Sequence, residues 1–330
     1  MSTGDRVAPV RWGFLGAGSV ARRGLAPAVH SCPEAELVAV ASRDVGRAEA
    51  LEPRGRCYGS YAQLLADPLV EAVYISLPND AHLPATLAAL EAGKHVLTEK
   101  PLGRTAEEVR QMVDAARRTR LLLVEASWYR WHPRTRRVEA LLAAGALGPL
   151  TRVDAGFTFR GVPAGDYRWD PDHGGGALYD VGCYAASALL VSTGWPVLTP
   201  QVTTAAARWA PSGVDLGVTA RLQAGEVTLR LTAGIAEPAR QWWTVTARRG
   251  SLALPETPFT AWNGQATSLL LVSGREVHVE DFAACDPYRL MVTEVSRAIR
   301  GQPAYLVAPE RSREVAGLLD TIRGRIGGLV

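Results

Sequence analysis

Cysteine and lysine are both scarce in this chain of 330 residues. The four cysteines lie far apart and match neither a metal-ligand spacing nor a disulfide framework, so they predict reduced thiols and no bound metal. No apolar run is long enough to span a bilayer, and residues 1–9 lack the apolar core of a secretion signal. We therefore expect a cytoplasmic protein without a membrane partner.

Basic runs and stripes of basic and aromatic residues are also missing, which excludes a typical nucleic-acid-binding surface. The net charge is +3, and Lys94 and Lys100 are the only lysines among 36 basic residues, so arginine carries the positive charge. The hydrophobic content of 47% suits a globular protein with a sizeable core. The length indicates two domains.

A glycine turn near the N-terminus predicts a dinucleotide site. The motif reads Gly16-Ala17-Gly18-Ser19-Val20-Ala21. Gly16 permits a tight turn, Gly18 lets a pyrophosphate approach the backbone, and Ala21 lets the following helix pack close to the strand. Helical spacing and a second apolar strand come next, which makes a βαβ unit. The alternative is a glycine turn inside some other α/β domain.

The tip of the second strand favours NADP over NAD. Ser42 and Arg43 stand where an NAD-binding protein usually has an acidic residue, and an arginine there suits a 2′-phosphate. Asp44 lies two residues past the end of the strand, beyond the position of that acidic residue, and is placed to cap the next helix. The alternative for Arg43 is a solvated loop charge.

Strands alternate with helices up to residue 127, which predicts a doubly wound parallel sheet. Ligands of such sheets lie beyond the carboxyl ends of the strands. The polar residues expected at that edge are Ser42, Arg43, Asn79, His82, Glu99 and Lys100. Lys100 is the notable one, because an ammonium shares a proton where a guanidinium does not. Its alternative role is to end a strand and point to water.

The pattern changes after Gly148-Pro149 to alternating apolar and polar residues, as in Val153, Ala155 and Phe157. This period of two predicts a large open sheet, mostly antiparallel, with one buried face. Helices near 288–300 and 309–323 close the chain and are expected to return to the first domain. The open sheet face is a candidate surface for a homodimer or homotetramer.

One glycine-rich segment, Gly174-Gly175-Gly176, interrupts this pattern and leads into a helix. Asp180 and Tyr184 are four residues apart and so share a helix face. A phenol beside a carboxylate can relay a proton for carbonyl–alcohol interconversion. The alternative is an ordinary helix with a surface aspartate and a half-buried tyrosine.

These motifs together resemble the glucose–fructose oxidoreductase / inositol dehydrogenase (Gfo/Idh/MocA) family. The resemblance rests on the glycine turn, on Glu99-Lys100-Pro101, and on the glycine triplet followed by Asp180-Val181-Gly182-Cys183-Tyr184. Tyr184 stands where the inositol branch has histidine. That is similar to the branch containing dimeric dihydrodiol dehydrogenase, xylose dehydrogenase and nucleotide-sugar 3-ketoreductases, as are residues 125–133 and 167–171. Thr98, where cysteine is common, is a departure of little consequence.

The resemblance implies an N-terminal Rossmann domain, over residues 1–127, and a substrate-binding and oligomerisation domain over 128–330. It implies three catalytic residues: Lys100, Asp180 and Tyr184. The cofactor-binding residues that it adds to the strand ends and glycines are Ser19, Val20, Leu77, Arg168 and Trp169. The substrate-binding residues are Lys100, Trp128, Arg130, Asp180 and Tyr184.

The predicted function is NADP-dependent hydride transfer between nicotinamide and a sugar, a nucleotide sugar or a cyclic diol, with NAD as a second possible cofactor. Tyr184 is the expected proton donor or acceptor, and Lys100 assists it. The alternative is a non-catalytic NAD(P)-sensing Rossmann protein, which needs the glycine turn but not Lys100, Asp180 and Tyr184 together. The missing secretion signal argues against the periplasmic oxidoreductase with permanently held cofactor.

Overall fold

The computed structural model describes residues 7–195, 200–262 and 264–327, which form two compact units. The first unit contains the chain up to Leu102 together with Glu107–Trp128 and Asp286–Glu310. The second unit contains Gly103–Ala106, Tyr129–Cys285 and the chain from Arg311 onward. No helix in these described ranges is long and apolar enough to cross a membrane.

The sheet of the first unit has six strands. In chain order they are β1 (Val10–Leu15), β2 (Ala35–Ala41), β3 (Arg56–Tyr58), β4 (Ala72–Ile75), β5 (His95–Thr98) and β6 (Leu123–Glu125). Every pairing is parallel, and the spatial order is β3-β2-β1-β4-β5-β6. β1 and β4 lie at the centre and are buried nearly throughout, as a sheet covered on both faces requires. The predicted doubly wound parallel sheet is therefore confirmed.

The helices of both units follow the predicted pattern, with differences at their ends. In chain order they are α1 (Ala26–His30), α2 (Val45–Glu49), α3 (Tyr61–Leu65), α4 (His82–Glu91), α5 (Ala106–Thr119), α6 (Pro133–Ala143), α7 (Cys183–Ser192), α8 (Pro287–Ile299) and α9 (Pro309–Ile326). α8 lies in the first unit, whereas α9 lies in the second from Arg311 on. α7 is buried on all sides, which explains why its sequence is almost entirely apolar.

The sheet of the second unit has eight strands. They are β7 (Leu150–Thr158), β8 (Gln201–Trp209), β9 (Asp215–Ala224), β10 (Val227–Gly234), β11 (Arg240–Ala247), β12 (Gly250–Leu254), β13 (Thr267–Ser273) and β14 (Glu276–Phe282). Their spatial order is β14-β13-β12-β11-β7-β10-β9-β8. Among the pairs of neighbouring strands in this order, β7 with β10 is parallel and the others are antiparallel. This confirms the predicted open sheet that is mostly antiparallel.

The alternation in β7 corresponds to the two faces of this sheet. Val153 and Ala155 are fully buried, whereas Arg152 is exposed on the other face. The alternation ends near the last residues of the strand, where Phe157 is half-buried and Thr158 is buried. Burying one face removes apolar side chains from water and leaves the polar face solvated. The parallel pairing of β7 and β10 was not predicted, because the same alternation suits parallel and antiparallel neighbours.

Candidate active site

The turn after β1 has the geometry that its glycines predict. Gly16 has a φ of 97°. A Cβ there would lie 2.5 Å from the backbone oxygen of Ser76, so only glycine fits. A Cβ on Gly18 would lie 3.4 Å from the Ser76 hydroxyl oxygen, an ordinary contact distance. Packing thus explains the glycine at 16 but not at 18, where a bare Cα leaves room for a ligand beside the backbone.

The helix after this turn begins without a side-chain cap. Its first turn, Ala21–Leu25, is π-helical and runs directly into α1, and Val20 makes no side-chain capping hydrogen bond. Ala21 is fully buried, as close packing of helix and strand requires. Ser19, the first residue of this helical segment, is exposed. Backbone N–H groups at a helix start attract anions, so these residues fit the pyrophosphate of a dinucleotide.

The tip of β2 places an exposed arginine beside a capped helix. The Asp44 carboxylate accepts a hydrogen bond from the backbone N–H of Arg47 and so caps α2, as predicted. Ser42 is buried, and its hydroxyl accepts from the Asp44 N–H. The Arg47 guanidinium donates to the backbone oxygen of Ala17, 3.0 Å away. Arg47 therefore links α2 to the glycine turn, a role that the sequence did not reveal.

The loop after β4 is tied to the end of β5 by a histidine. His82 is fully buried, and its ring nitrogens lie 2.8 Å from the backbone oxygen of Pro101 and 3.0 Å from that of Leu77. Burial lowers the pKa of His82. Asn79 is also buried and begins the short turn before α4. His82 therefore fixes the Pro101 backbone beside the sheet.

Lys100 follows β5, at the same edge of the sheet as the glycine turn that follows β1. The lysine is partly exposed, whereas Glu99 before it is buried. The Lys100 backbone N–H donates to Oε2 of Glu99 over 3.1 Å. Because carboxyl ends of parallel strands share an edge, Lys100 lies where a doubly wound sheet binds its ligands.

In the second unit, the glycine triplet packs against its own chain. A Cβ on Gly175 would lie 2.5 Å from the backbone oxygen of Arg168 and 2.7 Å from that of Asp170. The N–H of Gly175 donates to Asp170, and that of Gly176 donates to Arg168. Gly175 therefore allows a close approach between its own backbone and that of the 168–170 segment. These glycines position the residues before them.

Arg168 forms an ion pair with Asp180. Its Nε lies 2.7 Å from Oδ2 of Asp180, and its Nη1 lies 3.0 Å from Oδ1 of Asp166. Burial, the largest single effect, lowers the pKa of Arg168, but Asp180, Tyr167 and Asp166 together raise it above its ordinary value. Asp180 is buried, and the Arg168 guanidinium offsets the cost of removing the Asp180 carboxylate from water.

Tyr184 lies in a cluster of aromatic rings. Its ring centroid is 5.6 Å from those of Tyr129 and Phe157 and 5.7 Å from that of Phe259. The π-helical turn Leu178–Gly182 leads into α7, and these two helical segments carry Asp180 and Tyr184. The three neighbouring rings restrict the orientation of the Tyr184 ring.

The other aromatic and arginine candidates make contacts of their own. Trp128 stacks on Tyr288 in the first unit, with centroids 4.6 Å apart. In the second unit, the Arg130 guanidinium pairs with Glu139 at 2.8 Å. The Trp169 indole N–H donates to the backbone oxygen of Pro163. No cluster of three or more metal-ligating side chains occurs among the residues that the structure describes.

Comparison with known proteins identifies the family of this chain. The sequence model of an oxidoreductase family with an NAD-binding Rossmann fold matches residues 10–126. The sequence model of the GFO/IDH/MocA C-terminal domain matches residues 135–253. The chain belongs to the GFO/IDH/MocA oxidoreductase family. The resemblance inferred from the motifs is therefore confirmed.

Individual members of the GFO/IDH/MocA family match most of the chain. The NADP(+) D-xylose 1-dehydrogenase 2 of Haloferax volcanii is 36% identical over 317 residues, which cover 94% of this chain and 95% of that protein. A mouse trans-1,2-dihydrobenzene-1,2-diol dehydrogenase is 38% identical over 65% of each chain. The 3-ketoreductase KijD10 of Actinomadura kijaniata, solved with NADP and TDP-benzene, has a TM-score of 0.89 at 30% identity, covering 96% of this chain and 98% of that one.

One buried carboxylate in this GFO/IDH/MocA chain escaped the sequence analysis. Asp215 begins β9, is 1% exposed, and accepts a hydrogen bond of 2.7 Å from the Leu178 N–H. A Cβ on Gly176 would lie 2.2 Å from its other oxygen. Gly176 therefore makes room for the carboxylate that caps the helical segment carrying Asp180. Nothing local marks Asp215, because its partners lie far away in the chain.

Asp215 predicts a pH dependence of stability. Burial raises its pKa from 3.8 to about 6. When folding raises the pKa of an acid, the protonated acid favours the folded state. The contribution of that acid to the free energy of unfolding is largest below its ordinary pKa and is lost as the pH rises through the pKa of the folded protein. The pKa difference of about 2 corresponds to about 3 kcal/mol. Because asparagine does not titrate, we expect the free energy of unfolding of Asp215→Asn not to show this decrease between about pH 4 and pH 7.

Urea unfolding of both proteins across that pH range measures the effect. Asp286→Asn is the matched control, because Asp286 also caps a helix, α8. Parallel plots of the free energy of unfolding against pH for the wild type and Asp215→Asn would contradict the assignment.

Proposed function

We propose that this protein is an NADP-dependent oxidoreductase that transfers a hydride between nicotinamide and a carbonyl or alcohol carbon of a sugar, nucleotide sugar or cyclic diol. The observation that carries the proposal is the position of Lys100 at the carboxyl edge of the sheet that bears the glycine turn. That edge is where such sheets bind dinucleotides. The GFO/IDH/MocA relatives named above support the reaction class.

The cofactor half of the proposal assigns binding roles to residues of the first unit. Gly16, Gly18 and the helix start at Val20 would hold the pyrophosphate, and Ser42 with Arg43 would take the 2′-phosphate. Asn79, His82 and Leu77 would line the sheet edge beside them. The bound cofactor supplies the hydride. Contact between a fixed nicotinamide and a fixed carbonyl provides much of the rate.

The chemical half assigns the proton to Tyr184. A tyrosine is a poor acid at its ordinary pKa of about 10, and a cation in the reacting complex lowers that value by stabilising the phenolate. We assign this cation to Lys100, because the pKa of an ammonium responds to its surroundings and the group can give up its proton, whereas an arginine stays charged. Asp180 orients the substrate hydroxyls, and Arg168 holds Asp180 in place. Trp128, Arg130 and Trp169 complete the proposed binding residues.

A substrate panel tests the reaction class. NADPH consumption is measured with sugars, nucleotide ketosugars and cyclic diketones, and NADP reduction is measured with the corresponding alcohols. Turnover with at least one class is expected. Tight NADPH binding without turnover on any class would instead favour the non-catalytic sensor.

The preference for NADP gives a prediction about Arg43. We expect Arg43→Ala to weaken NADPH binding by about 1.5–3 kcal/mol, the worth of a hydrogen bond between charged groups, and to leave NADH binding almost unchanged. Dissociation constants for both cofactors, measured by fluorescence titration, check this. Arg56→Ala is the control, because Arg56 begins β3 and has no proposed cofactor role. Equal losses for NADPH and NADH would reject the assignment.

We also propose a homodimer or homotetramer formed through the open face of the eight-stranded sheet. The support is a broad face with exposed polar side chains, among them Arg152 on β7 and Thr219 and Arg221 on β9. Light scattering after size exclusion measures the state, and a monomer at all concentrations would reject it. The cytoplasmic location and the absence of nucleic-acid partners stay predictions.

A further inference from the structure

A buried tyrosine and glutamate lie directly behind Lys100. The Tyr74 hydroxyl, on β4, donates to Oε1 of Glu99 over 2.7 Å. The Lys100 backbone N–H donates to Oε2 of the same carboxylate. Tyr74 is fully buried and its ring meets Phe14 edge-on, with centroids 4.9 Å apart. Both Glu99 oxygens therefore accept hydrogen bonds inside the protein.

This arrangement favours an ionised Glu99. Burial raises the pKa of Tyr74 well above its ordinary value, so the phenol stays protonated and acts as a donor. A carboxylate can accept from both the phenol and the Lys100 N–H, whereas a protonated Glu99 would need an acceptor for its own proton. Burial raises the pKa of Glu99 and opposes ionisation. The Lys100 charge and the Tyr74 hydrogen bond lower this pKa, although burial keeps it above its ordinary value.

Other charged and titratable groups surround the pair. Glu125 on β6 raises the pKa of Glu99. Tyr288 on α8 acts on Tyr74 in the same direction. The Lys100 ammonium lowers the pKa of His82 on α4, and Asp80 raises it. Lys100 is therefore the cation that acts most strongly on Glu99, whose ionisation is opposed by burial and by the Glu125 charge.

We infer that Tyr74 and Glu99 are positioning residues for Lys100: the Tyr74 hydroxyl stabilises the Glu99 carboxylate, which serves as the buried counter-ion that keeps Lys100 protonated. This inference deepens the proposed function and rests on it for its kinetic consequence. The Glu99 carboxylate and the Lys100 ammonium stabilise each other's charge, so a hydroxyl that keeps Glu99 ionised against burial also favours the charged form of Lys100. Loss of the Tyr74 hydroxyl is expected to lower the pKa of Lys100.

The scarcity of lysine makes this charge directly measurable. Labelling with ¹³Cε-lysine gives signals from Lys94 and Lys100 alone, and the signal absent in Lys100→Met identifies Lys100. Titration of the full chain is expected to show a lower Lys100 pKa in Tyr74→Phe than in the wild type. In Glu99→Gln the pKa is expected to fall by about 1–3, as when an opposite charge is removed. An unchanged Lys100 pKa in either variant would overturn the inference.

Tyr58→Phe is the matched control. The Tyr58 hydroxyl donates to the Asp67 carboxylate over 2.9 Å, and Lys94 donates to the backbone oxygen of Asp67. This variant removes the same kind of hydrogen bond beside the other lysine, so the Lys100 signal is expected to titrate as in the wild type. A Lys100 shift of equal size in Tyr58→Phe would show a nonspecific effect and overturn the inference.

Kinetics separate this inference from the proposed function. With a substrate from the panel, the alkaline limb of the kcat/KM profile is expected to move to lower pH in Tyr74→Phe. A purely structural role would lower kcat without moving that limb. A lower Lys100 pKa with an unmoved limb would uphold the Tyr74–Glu99 inference and reject the catalytic role of Lys100.

Discussion

Replacement of Tyr184 by phenylalanine is expected to lower kcat by about 10²–10⁴, the usual contribution of a positioned proton donor. The change removes only a hydroxyl, and the ring keeps its contacts with Tyr129, Phe157 and Phe259. NADPH affinity and the fold should therefore survive. Steady-state kinetics, cofactor titration and circular dichroism measure the three quantities.

Tyr179→Phe is the matched control, because Tyr179 lies on the π-helical turn just before α7 and has no proposed chemical role. It should keep near-normal turnover. If Tyr184→Phe did so as well, the proton would come from another group. Asp180, His132 and a bound water would be the next candidates, although His132 caps α6 through Nδ1 and its pKa is lowered to about 4, mainly by burial.

Lys100→Met is expected to reduce kcat by a similar factor, and the double variant should be scarcely worse than either single one. Groups that work as a unit lose most of their effect when one member is removed, so the losses do not add. Kinetics on the four forms decide the matter. Additive losses would mean that Lys100 and Tyr184 act in separate steps.

The second large effect is expected from Gly18→Val, which should abolish NADPH binding in a folded protein. The loss of two hydrogen bonds to the pyrophosphate, each worth about 1.5–3 kcal/mol, weakens binding by at least about a hundredfold. Gly16 is unsuitable for this test, because a Cβ there would lie 2.5 Å from backbone and the fold itself would suffer. Gly18 is free of such a clash.

Gly324→Val is the control, because a Cβ on Gly324 meets nothing within 4 Å. Fluorescence titration gives the affinities, and circular dichroism checks the folds. Gly18→Ala should lie between the wild type and Gly18→Val. Unaltered NADPH affinity in folded Gly18→Val would contradict the phosphate-binding role of the turn.

The elements of this protein were largely predictable because local patterns encode them. The glycine at 16 adopts the positive φ that its turn needs, and Asp44 caps α2 three residues along the chain. The alternation around Val153 corresponds to one buried sheet face. In each case the interacting groups are close in sequence, or the side-chain period of a strand marks the buried face.

The π-helical turns were not predictable in the same way. Ala21–Leu25 and Leu178–Gly182 both have ordinary helical spacing in sequence. Spacing of apolar residues marks a helical face but does not distinguish one extra residue in a turn. Both π-helical turns directly follow glycine-rich segments.

The sequence by itself determined the two kinds of sheet, the glycine turn, the cap of α2 and the family of the protein. Only the tertiary structure decided which partners the polar groups bind. Arg47 donates to the glycine turn and Arg168 donates to the Asp180 carboxylate. Asp215 accepts from the start of the helical segment, and Tyr74 donates to the Glu99 carboxylate. Except for Arg168 and Asp180, 12 residues apart, these pairs join residues 25 to 37 positions apart. Their contacts depend on the order in which strands assemble, and hydrophobic periodicity carries no information about that order.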